Sequence, residues 1–208
     1  MIAIVDYGAG NLGSVEKALR FIGAPAVVTD DPATVLRTDA LVLPGVGALG
    51  HCMEGLRRAG LVDATREFIR SGRPFLGICI GMQMLFDTSE EGGQTAGLGV
   101  LKGVVRRFAL DRDPRNSGLK VPHMGWNGLI HDGTCPLLAG VPNGAMAYFV
   151  HSYYAEPEDT SVIVATTQYG YPFCSAIRSG NVYATQFHPE KSGKVGLAIL
   201  RNFVALAP

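Results

Sequence analysis

The first half of the chain alternates short apolar runs with longer amphipathic stretches, and this alternation restricts the fold more than any other feature. The apolar runs have the length of buried strands and lie at residues 2–5, 26–29, 40–43 and 74–78. The amphipathic stretches have helical spacing and lie at residues 14–22, 49–58 and 61–69. Such alternation predicts an α/β fold with a mostly parallel central sheet flanked by helices, in which Ser14 is the N-cap of the first helix.

The second half has six strand-like runs with few helical stretches between them. They lie at residues 100–108, 125–130, 145–154, 162–167, 173–178 and 182–187. The sequence Ser-Gly-Asn at 179–181 is typical of a hairpin turn, which predicts antiparallel additions to the sheet. A last helix is predicted over 193–206. The polar stretch 111–118 predicts a surface loop and no domain boundary, so residues 1–208 are predicted to form a single domain.

The composition argues against several classes of protein. Hydrophobic residues make up 47% of the chain and charged residues 17%, which excludes a disordered protein. Basic and acidic residues both number 18, and this balance argues against nucleic-acid and membrane partners. No apolar run has the length of a signal peptide core or a membrane span, and four scattered cysteines indicate free thiols. We therefore expect a cytoplasmic protein.

The sharpest chemical signal is the motif Gly-Ile-Cys-Ile-Gly at 77–81. It follows the predicted strand 74–78 and precedes a helical pattern of Met82, Leu85 and Phe86. In this context a nucleophile sits at the tip of a strained turn, and the glycines let the backbone bend and its neighbours approach. Because cysteine is often buried for packing alone, a structural Cys79 is the alternative. The strand–turn–helix context favours the nucleophile.

A nucleophilic cysteine needs a base, and the base needs a group that orients it. The segment His188-Pro189-Glu190 supplies both groups directly after the strand 182–187. We expect an extended segment, in which side chains two residues apart share a face, so that the imidazole and the carboxylate lie side by side. Such pairs are often structural when they occur alone. Together with Cys79 they predict a Cys–His–Glu triad at a strand end.

Two glycine-rich turns also follow predicted strands. The sequence Pro-Gly-Val-Gly at 44–47 can present backbone N–H groups to an oxyanion, although similar turns without function are common. The sequence at 8–13 has the form G-x-G-x-x-G, but the next strand, 26–29, does not end in an acidic residue, which argues against NAD binding.

The remaining histidines and cysteines do not have the spacing of a metal site, so neither a metal nor a cofactor is expected. The histidines other than His188 are predicted to have surface, packing or interface roles, and they are His51, His123, His131 and His151. The cysteines other than Cys79 are predicted to be structural, and they are Cys52, Cys135 and Cys174.

Taken together, the motifs at 77–83 and 188–190 resemble those of the class I, triad-type glutamine amidotransferases. Further segments narrow the resemblance to the glutaminase subunits of imidazole glycerol phosphate synthase. These segments are residues 6–11, 44–47, 122–127, 148–153 and 186–192, and the similarity runs from about residue 2 to 203. The sequence Pro-His-Met-Gly-Trp-Asn at 122–127 and the turn at 44–47 carry the narrower resemblance.

The resemblance implies that the chain hydrolyses L-glutamine to glutamate and ammonia through a thioester on Cys79. His188 would pass the thiol proton to the departing ammonia, and Glu190 would orient His188. The implied oxyanion donors are backbone N–H groups at Val46, Gly47 and Ile80. The implied contacts to glutamine are Gly47, Gln83, Ser152 and Tyr153.

The same resemblance implies a heterodimer with a cyclase subunit, a (β/α)8 barrel that uses the ammonia to make imidazole glycerol phosphate and AICAR in histidine biosynthesis. The implied interface residues are Asn11, Trp126, Tyr148 and Lys191. In the absence of an acceptor the ammonia would be wasted, so we expect the oxyanion donors to be gated. Glycines on both sides of Val46 make a peptide flip accessible, and the Val46–Gly47 peptide is the candidate gate.

Three alternatives remain open at this point. One is the glutaminase of another synthase, such as pyridoxal phosphate synthase, and another is a stand-alone cysteine hydrolase on the same fold. The segment 122–127 argues against both of these. The third is a binding module without catalytic activity, and the presence of Cys79, His188 and Glu190 together argues against it.

Overall fold

The computed structural model describes residues 1–110, 116 and 118–207. Its strands are β1 (Ile2–Val5), β2 (Ala26–Thr29), β3 (Ala40–Gly45), β4 (Phe75–Cys79), β5 (Phe86–Ser89), β6 (Thr95–Ala96), β7 (Leu101–Arg107), β8 (His123–Gly128), β9 (Met146–His151), β10 (Tyr153–Pro157), β11 (Ile163–Tyr169), β12 (Tyr171–Ser179) and β13 (Val182–Thr185). Its α-helices are α1 (Leu12–Phe21), α2 (Pro32–Arg37), α3 (Leu49–Arg58), α4 (Leu61–Arg70), α5 (Ile80–Gln83) and α6 (Gly193–Val204).

A seven-stranded sheet in the order β11-β12-β13-β4-β3-β1-β2 forms the centre of the molecule. The five strands from β13 to β2 are parallel, and β11 and β12 are antiparallel additions. The chain moves from β1 outward to β2 and then back past β1 to β3 and β4. Right-handed crossovers therefore place α1 on one face and α2 to α4 on the other. The helices α1 and α6 pack together, and α4 packs against both α2 and α3. The predicted α/β fold is confirmed.

The central strands are covered on both faces, which explains their uninterrupted apolar sequences. Every residue of β1, β3, β4 and β13 is buried. The covering helices are amphipathic; α4, for example, buries Leu61, Thr65 and Phe68 along one stripe. Full burial of a side chain such as Phe68 contributes about 1.5–3 kcal/mol to stability. In the described part of the chain, no helix is long and apolar enough to cross a membrane.

The chain from Phe86 onward also forms two smaller sheets, with the orders β10-β7-β5-β6 and β8-β9. The predicted hairpin between β12 and β13 is present, because Ser179 pairs with Val182 and Gly180 adopts a φ of 57°. The single strand predicted over 145–154 is instead broken at Ser152. Its two parts, β9 and β10, belong to different sheets. This break matters for function because it brings residue 152 to the site described below.

Local signals were misleading at several element boundaries. The first helix begins at Leu12, so Ser14 lies inside the helix and the predicted N-cap is wrong; Asn11 occupies that position. The helix α2 was not predicted, although Asp31 caps it by accepting from the N–H groups of Ala33 and Thr34. An Asp-Pro pair at a helix start is the signal that could have identified it. The loop predicted at 111–118 falls largely outside the described residues.

The helix predicted after the cysteine motif is wrong in length. It ends after the single turn α5, and Phe86 begins the strand β5. Apolar residues at 82, 85 and 86 fit a helix locally. However, β5 pairs in parallel with β7, with Phe86 opposite Leu101, and this pairing determines its conformation.

Candidate active site

Cys79 lies at the carboxyl end of β4, where the strand turns directly into α5. With a φ of 56° and a ψ of −109°, it is the one non-glycine residue with positive φ among those described. An L residue in a sparsely populated backbone region costs about 1–3 kcal/mol, which the surrounding structure must offset. Cys79 is buried, with 3% exposure. This strained conformation puts the Cys79 side chain at the tip of the turn, as expected for a nucleophile elbow.

Gly77 and Gly81 provide space for this turn. A Cβ at residue 81 would lie 1.8 Å from the carbonyl oxygen of Leu43, and a Cβ at residue 77 would lie 2.7 Å from that of Gly81. Neither glycine has a positive φ. The expectation that the glycines provide the bend is therefore wrong, because the bend is at Cys79 itself. Gly81 allows the turn to pack directly against β3, and Gly77 allows α5 to fold back closely over β4.

His188 and Glu190 lie side by side, but not through an extended segment as predicted. Residues Pro189–Lys191 form a turn of 3₁₀ helix, and His188 is its N-cap. The turn brings Glu190 Oε1 within 2.7 Å of His188 Nδ1, and both side chains are 1% exposed. Ser192 Oγ donates to the carbonyl oxygen of His188 at 2.7 Å and closes the turn. A carboxylate oxygen accepts, so Nδ1 carries the proton when the imidazole is neutral.

The surroundings of His188 favour its protonated form. Burial lowers the pKa of the His188 imidazole, but the Cys79 sulfur and the Glu190 carboxylate more than offset this and raise it to about 10. An imidazolium held beside a cysteine stabilises the thiolate, which is the nucleophilic form. His188 Nε2 is buried and has no hydrogen-bond partner among the described residues. It is therefore free to exchange a proton with a group bound next to Cys79.

A Glu190→Gln variant should have a lower pKa at His188. The amide can still accept the Nδ1 hydrogen bond, but the negative charge that favours the imidazolium is gone. Because the pKa of His188 is raised from 6.5 to about 10, its contribution to stability is complete below about pH 6.5 and is lost as the pH rises through about 10. In the variant this loss should occur at lower pH. NMR titration of the His188 ring measures the shift, with the exposed Glu158→Gln as control. An unchanged pKa would contradict this account.

The end of β3 and the turn after it run beside the cysteine elbow, and side chains donate hydrogen bonds to their carbonyl groups. Tyr7 Oη donates to the Pro44 carbonyl at 2.6 Å, and burial raises the pKa of this phenol so that it stays a donor. Cys52 Sγ donates to the Val46 carbonyl at 3.3 Å. In a trans peptide the N–H points opposite to the carbonyl, so this contact also orients the N–H of Gly47. Cys52, predicted to be structural, therefore contacts the candidate oxyanion peptide.

A cavity of about 280 Å³ lies next to the elbow, lined by Cys79 and His188. The structure also brings the predicted oxyanion and glutamine-binding residues to this cavity. They are Val46, Gly47, Ile80, Gln83, Ser152 and Tyr153. The cavity lies where the parallel strands β3 and β4 end, which is the edge at which α/β sheets bind ligands.

Two polar residues of the site were not singled out as site residues in the sequence analysis. Gln186 is fully buried; its Nε2 donates to the Cys79 sulfur at 3.7 Å, and its Oε1 accepts from Gln83 at 2.9 Å. Glu91 lines the cavity and accepts from the N–H of Leu49 at 2.7 Å. A glutamine at a buried strand end was a usable signal for Gln186. Glu91 reaches the site only through the unpredicted turn after β5.

Three of the implied interface residues form a surface cluster. Trp126 on β8 is 53% exposed, and its ring meets that of Tyr148 edge-on with centroids 6.1 Å apart. The Lys191 ammonium lies 6.0 Å from the Tyr148 ring. Asn11 lies at the start of α1, which packs against the Pro189–Lys191 turn. The Tyr148 carbonyl accepts the N–H of His188 at 2.9 Å, so the cluster is joined to the turn that holds the triad histidine.

The other cysteines and histidines take varied roles. All four cysteines are free and buried, which agrees with the free thiols expected. In the described residues, no group of three or more His, Cys, Asp or Glu side chains could hold a metal ion. His51 is exposed, and His131 is half-buried and accepts from the N–H of Gly133 through Nδ1. His123 and His151, predicted to have surface, packing or interface roles, are buried and form a pair with ring nitrogens 3.0 Å apart.

A strained cysteine at a strand end, with a buried His–Glu pair beside it, is the arrangement expected of a hydrolase or transferase with a cysteine nucleophile. The family model described as glutamine amidotransferase class-I matches residues 3–207. A solved structure described as glutamine amidotransferase has the same fold, with a TM-score of 0.75 over 99% of this chain and 98% of that chain, at 21% identity.

Curated relatives are more similar in sequence. The chain is 53% identical over 203 residues to imidazole glycerol phosphate synthase subunit HisH of Syntrophotalea carbinolica, with 98% of each chain covered. It is 54% identical over 202 residues to the subunit of that name from Geobacter sulfurreducens, with 97% of each covered. The chain belongs to the class I glutamine amidotransferases and, within them, to the HisH subunits of imidazole glycerol phosphate synthase.

Proposed function

We propose that this chain is the glutaminase subunit of an imidazole glycerol phosphate synthase and hydrolyses L-glutamine to glutamate and ammonia. The observation that carries the proposal is the arrangement of Cys79, His188 and Glu190. The cysteine lies on a strained turn, the imidazole has a free Nε2, and the carboxylate holds Nδ1 at 2.7 Å. This is the arrangement that nucleophilic catalysis by cysteine requires.

In the first half of the reaction, the Cys79 thiolate attacks the side-chain carbonyl carbon of glutamine. The new C–S bond moves the carbonyl electron pair to oxygen, and backbone N–H groups around Gly47 and Ile80 stabilise this oxyanion. When the electron pair returns, the C–N bond breaks. The His188 imidazolium gives its Nε2 proton to the departing nitrogen, so that ammonia leaves and a γ-glutamyl thioester remains on Cys79.

In the second half, water hydrolyses the thioester. Neutral His188 takes a proton from the water through Nε2 as the oxygen attacks the thioester carbonyl carbon. The tetrahedral intermediate collapses, the C–S bond breaks, and glutamate leaves with the new oxygen. Cys79 returns to the thiolate, and His188 returns to the imidazolium that Glu190 stabilises. The cycle consumes one glutamine and one water and releases one glutamate and one ammonia.

The polar groups of the cavity suit a glutamine ligand. Gln83 Oε1 is a buried acceptor with no partner in the described part of the chain, and Glu91 lines the same cavity. Glutamine carries N–H donors at both ends, in its side-chain amide and its α-ammonium group. A buried acceptor gains most from such a donor, because it has already lost its contact with water. Ser152 and Tyr153 complete the proposed binding site.

We also propose that the partner is a cyclase subunit with a (β/α)8 barrel, and that the pair works in the cytoplasm as a heterodimer. Four large apolar side chains are exposed on or beside the β8–β9 sheet, namely Met124, Trp126, Ile130 and Met146. Exposed apolar groups concentrated in one place are typical of an interaction surface. The relatives' description as a synthase subunit supports a second subunit. We place Asn11, Tyr148 and Lys191 at the same interface. The assignment of residues 1–208 to a single domain stays a prediction.

Glutamate release under three conditions tests the proposed function. The chain is assayed alone, with a cyclase subunit, and with the cyclase subunit plus its nucleotide substrate. A rate that is low in the first mixture and rises sharply in the third supports both the chemistry and the partnership. A high rate that the cyclase subunit does not change would contradict the partnership and favour a stand-alone hydrolase.

A Gly47→Ala variant should change the ratio of stimulated to basal glutaminase rate. Gly47 has a φ of 87°, and a Cβ would meet no atom within 4 Å, so alanine alters the backbone preference without a clash. The left-handed region costs an L residue roughly 1–2 kcal/mol, which corresponds to a change of about fivefold or more in the balance between peptide orientations. Gly140→Ala is the control, because Gly140 has a φ of 71° and open space on the surface. An equal ratio in Gly47→Ala and wild type would exclude this peptide as the gate.

A further inference from the structure

The buried pair His123 and His151 belongs to a chain of hydrogen bonds that reaches the glutamine pocket. His123 Nδ1 and His151 Nε2 are 3.0 Å apart, and His151 Nδ1 lies 2.8 Å from the carbonyl oxygen of Tyr153. On the other side, Asn127 Nδ2 lies 3.2 Å from His123 Nε2. His151 lines the cavity, whereas His123 does not, and both are at most 5% exposed. The reaction proposed above uses neither histidine.

The direction of each hydrogen bond follows from the groups at the two ends. A carbonyl oxygen only accepts, so His151 Nδ1 must carry a proton. Burial lowers the pKa of His151 to about 3 and that of His123 to about 4, so both rings are neutral at pH 7. A neutral imidazole has one N–H, which makes His151 Nε2 an acceptor and His123 Nδ1 its donor.

The hydrogen bond between Asn127 and His123, at the outer end of the series, runs in the same direction. With Nδ1 protonated, His123 Nε2 is an acceptor and receives the Asn127 Nδ2–H. The Asn127 amide orientation is supported independently, because Nδ2 also donates to the Gln168 carbonyl at 2.9 Å and Oδ1 accepts from the N–H of Gly128 at 2.8 Å. The three hydrogen bonds therefore run in one direction: Asn127 donates to His123, His123 donates to His151, and His151 donates to the Tyr153 carbonyl.

The Tyr153 carbonyl links this series of hydrogen bonds to Cys79 through two glutamine side chains. Gln83 Nε2 donates to the same carbonyl oxygen at 2.9 Å and, with its second hydrogen, to Gln186 Oε1 at 2.9 Å. Gln186 Nε2 donates in turn to the Cys79 sulfur. Two donors converge on one carbonyl oxygen, so its position is set from both sides. The Gln83 amide is oriented by these contacts, which leaves its Oε1 as the acceptor for a ligand.

We propose that His123 is a positioning residue for the glutamine pocket. By keeping His151 in its Nδ1–H form, it holds the Tyr153 carbonyl and, through it, the Gln83 amide in the orientation that binds the substrate. The inference deepens the proposed function and rests on it for the identity of the ligand. His123 itself touches neither the ligand nor Cys79.

The first test is the tautomer of each ring. Two-dimensional ¹H–¹⁵N NMR of the full chain, recorded through the ring protons, distinguishes Nδ1–H from Nε2–H histidine. His123 and His151 should both be neutral and protonated at Nδ1 at pH 7. This measurement needs no glutaminase activity. An Nε2–H form for either ring would overturn the inference.

The second test compares two variants of nearly equal size, both in a Cys79→Ala background that prevents turnover. His123→Asn retains an N–H donor close to the position of Nδ1, whereas His123→Leu has none. The loss of one buried hydrogen bond that positions a ligand-binding group should weaken glutamine binding about tenfold in His123→Leu. His123→Asn should stay within about twofold of the parent. Isothermal titration with L-glutamine measures both, and His151 should lose its Nδ1–H form only in His123→Leu.

The outcomes separate the possible failures. Equal glutamine affinity in the parent and both folded variants would overturn the positioning role. If His123→Leu does not fold, Asn127→Leu takes its place: without the Asn127 donor, His123 is no longer held in its Nδ1–H form, so glutamine affinity should fall relative to His123→Asn. A parent with both Nδ1–H rings that fails to bind glutamine in the complete complex would contradict the proposed function and, with it, the substrate role of His123.

Discussion

A Cys79→Ala variant should lose glutamine hydrolysis by at least about a thousandfold, because the thiolate proposed to form the thioester is gone. His188, Glu190 and the backbone donors remain, yet without a nucleophile they have no covalent intermediate to stabilise. The variant should still fold, since alanine removes only the sulfur and β4 stays buried. Glutamine binding should survive as well, because the pocket's polar groups are intact.

The matched control is Cys135→Ala, a second buried cysteine that precedes the 3₁₀ turn Pro136–Leu138. Both variants remove one buried thiol, so a nonspecific effect of thiol loss would appear in both. Steady-state glutamate release in the presence of the cyclase subunit and its substrate measures the difference. Substantial hydrolysis by Cys79→Ala would require a different nucleophile and would refute the proposed mechanism.

A Gly81→Ala variant should be destabilised by about 3 kcal/mol or more. The new Cβ would lie 1.8 Å from the Leu43 carbonyl oxygen, which is backbone of a central strand. To relieve the clash, the elbow would have to move away from β3, although Leu43 pairs with Gly77 and Gly45 with Cys79 at this point. Any protein that folds should therefore also have lost the geometry of Cys79 and most of its activity.

Urea unfolding and glutamate release together measure this effect. Gly50→Ala is the control, because Gly50 lies in α3 and a Cβ there would meet only Thr95, at an ordinary 3.7 Å. Because Gly50 is the second residue of α3, in its first turn, alanine there should change stability by less than about 1 kcal/mol. A Gly81→Ala protein with wild-type stability and activity would show that the close packing of the elbow on β3 is not required.

The central sheet was predictable to within about two residues at each end of β1, β2, β3 and β4. Burial on both faces leaves an uninterrupted apolar run, and the intervening helices keep a clear amphipathic period. The prediction failed where a segment is held by a partner distant in sequence. Residues 82–86 carry an apolar helical pattern, yet Phe86 belongs to a strand because it pairs with β7.

The proposed triad was accessible to sequence reasoning because each part is a local motif. Cys79 stands between glycines at a strand end, and His188 and Glu190 are two residues apart. Even there, the reason for the pairing was wrong, since a 3₁₀ turn and not an extended strand brings the imidazole to the carboxylate. The site contacts of three residues were not predicted, because the groups they contact are not indicated by the local sequence. These residues are Gln186, Glu91 and Cys52.

The sequence by itself determined the α/β class and the family and predicted the nucleophile and its base, because periodicity and short motifs carry this information within a few residues of chain. Only the tertiary structure decided how the pocket is held. His123 contacts a ring 28 residues away, and Gln186 contacts a sulfur 107 residues away. Such hydrogen bonds leave no pattern along the chain, because each needs only a donor and an acceptor that the completed fold brings within about 3 to 4 Å.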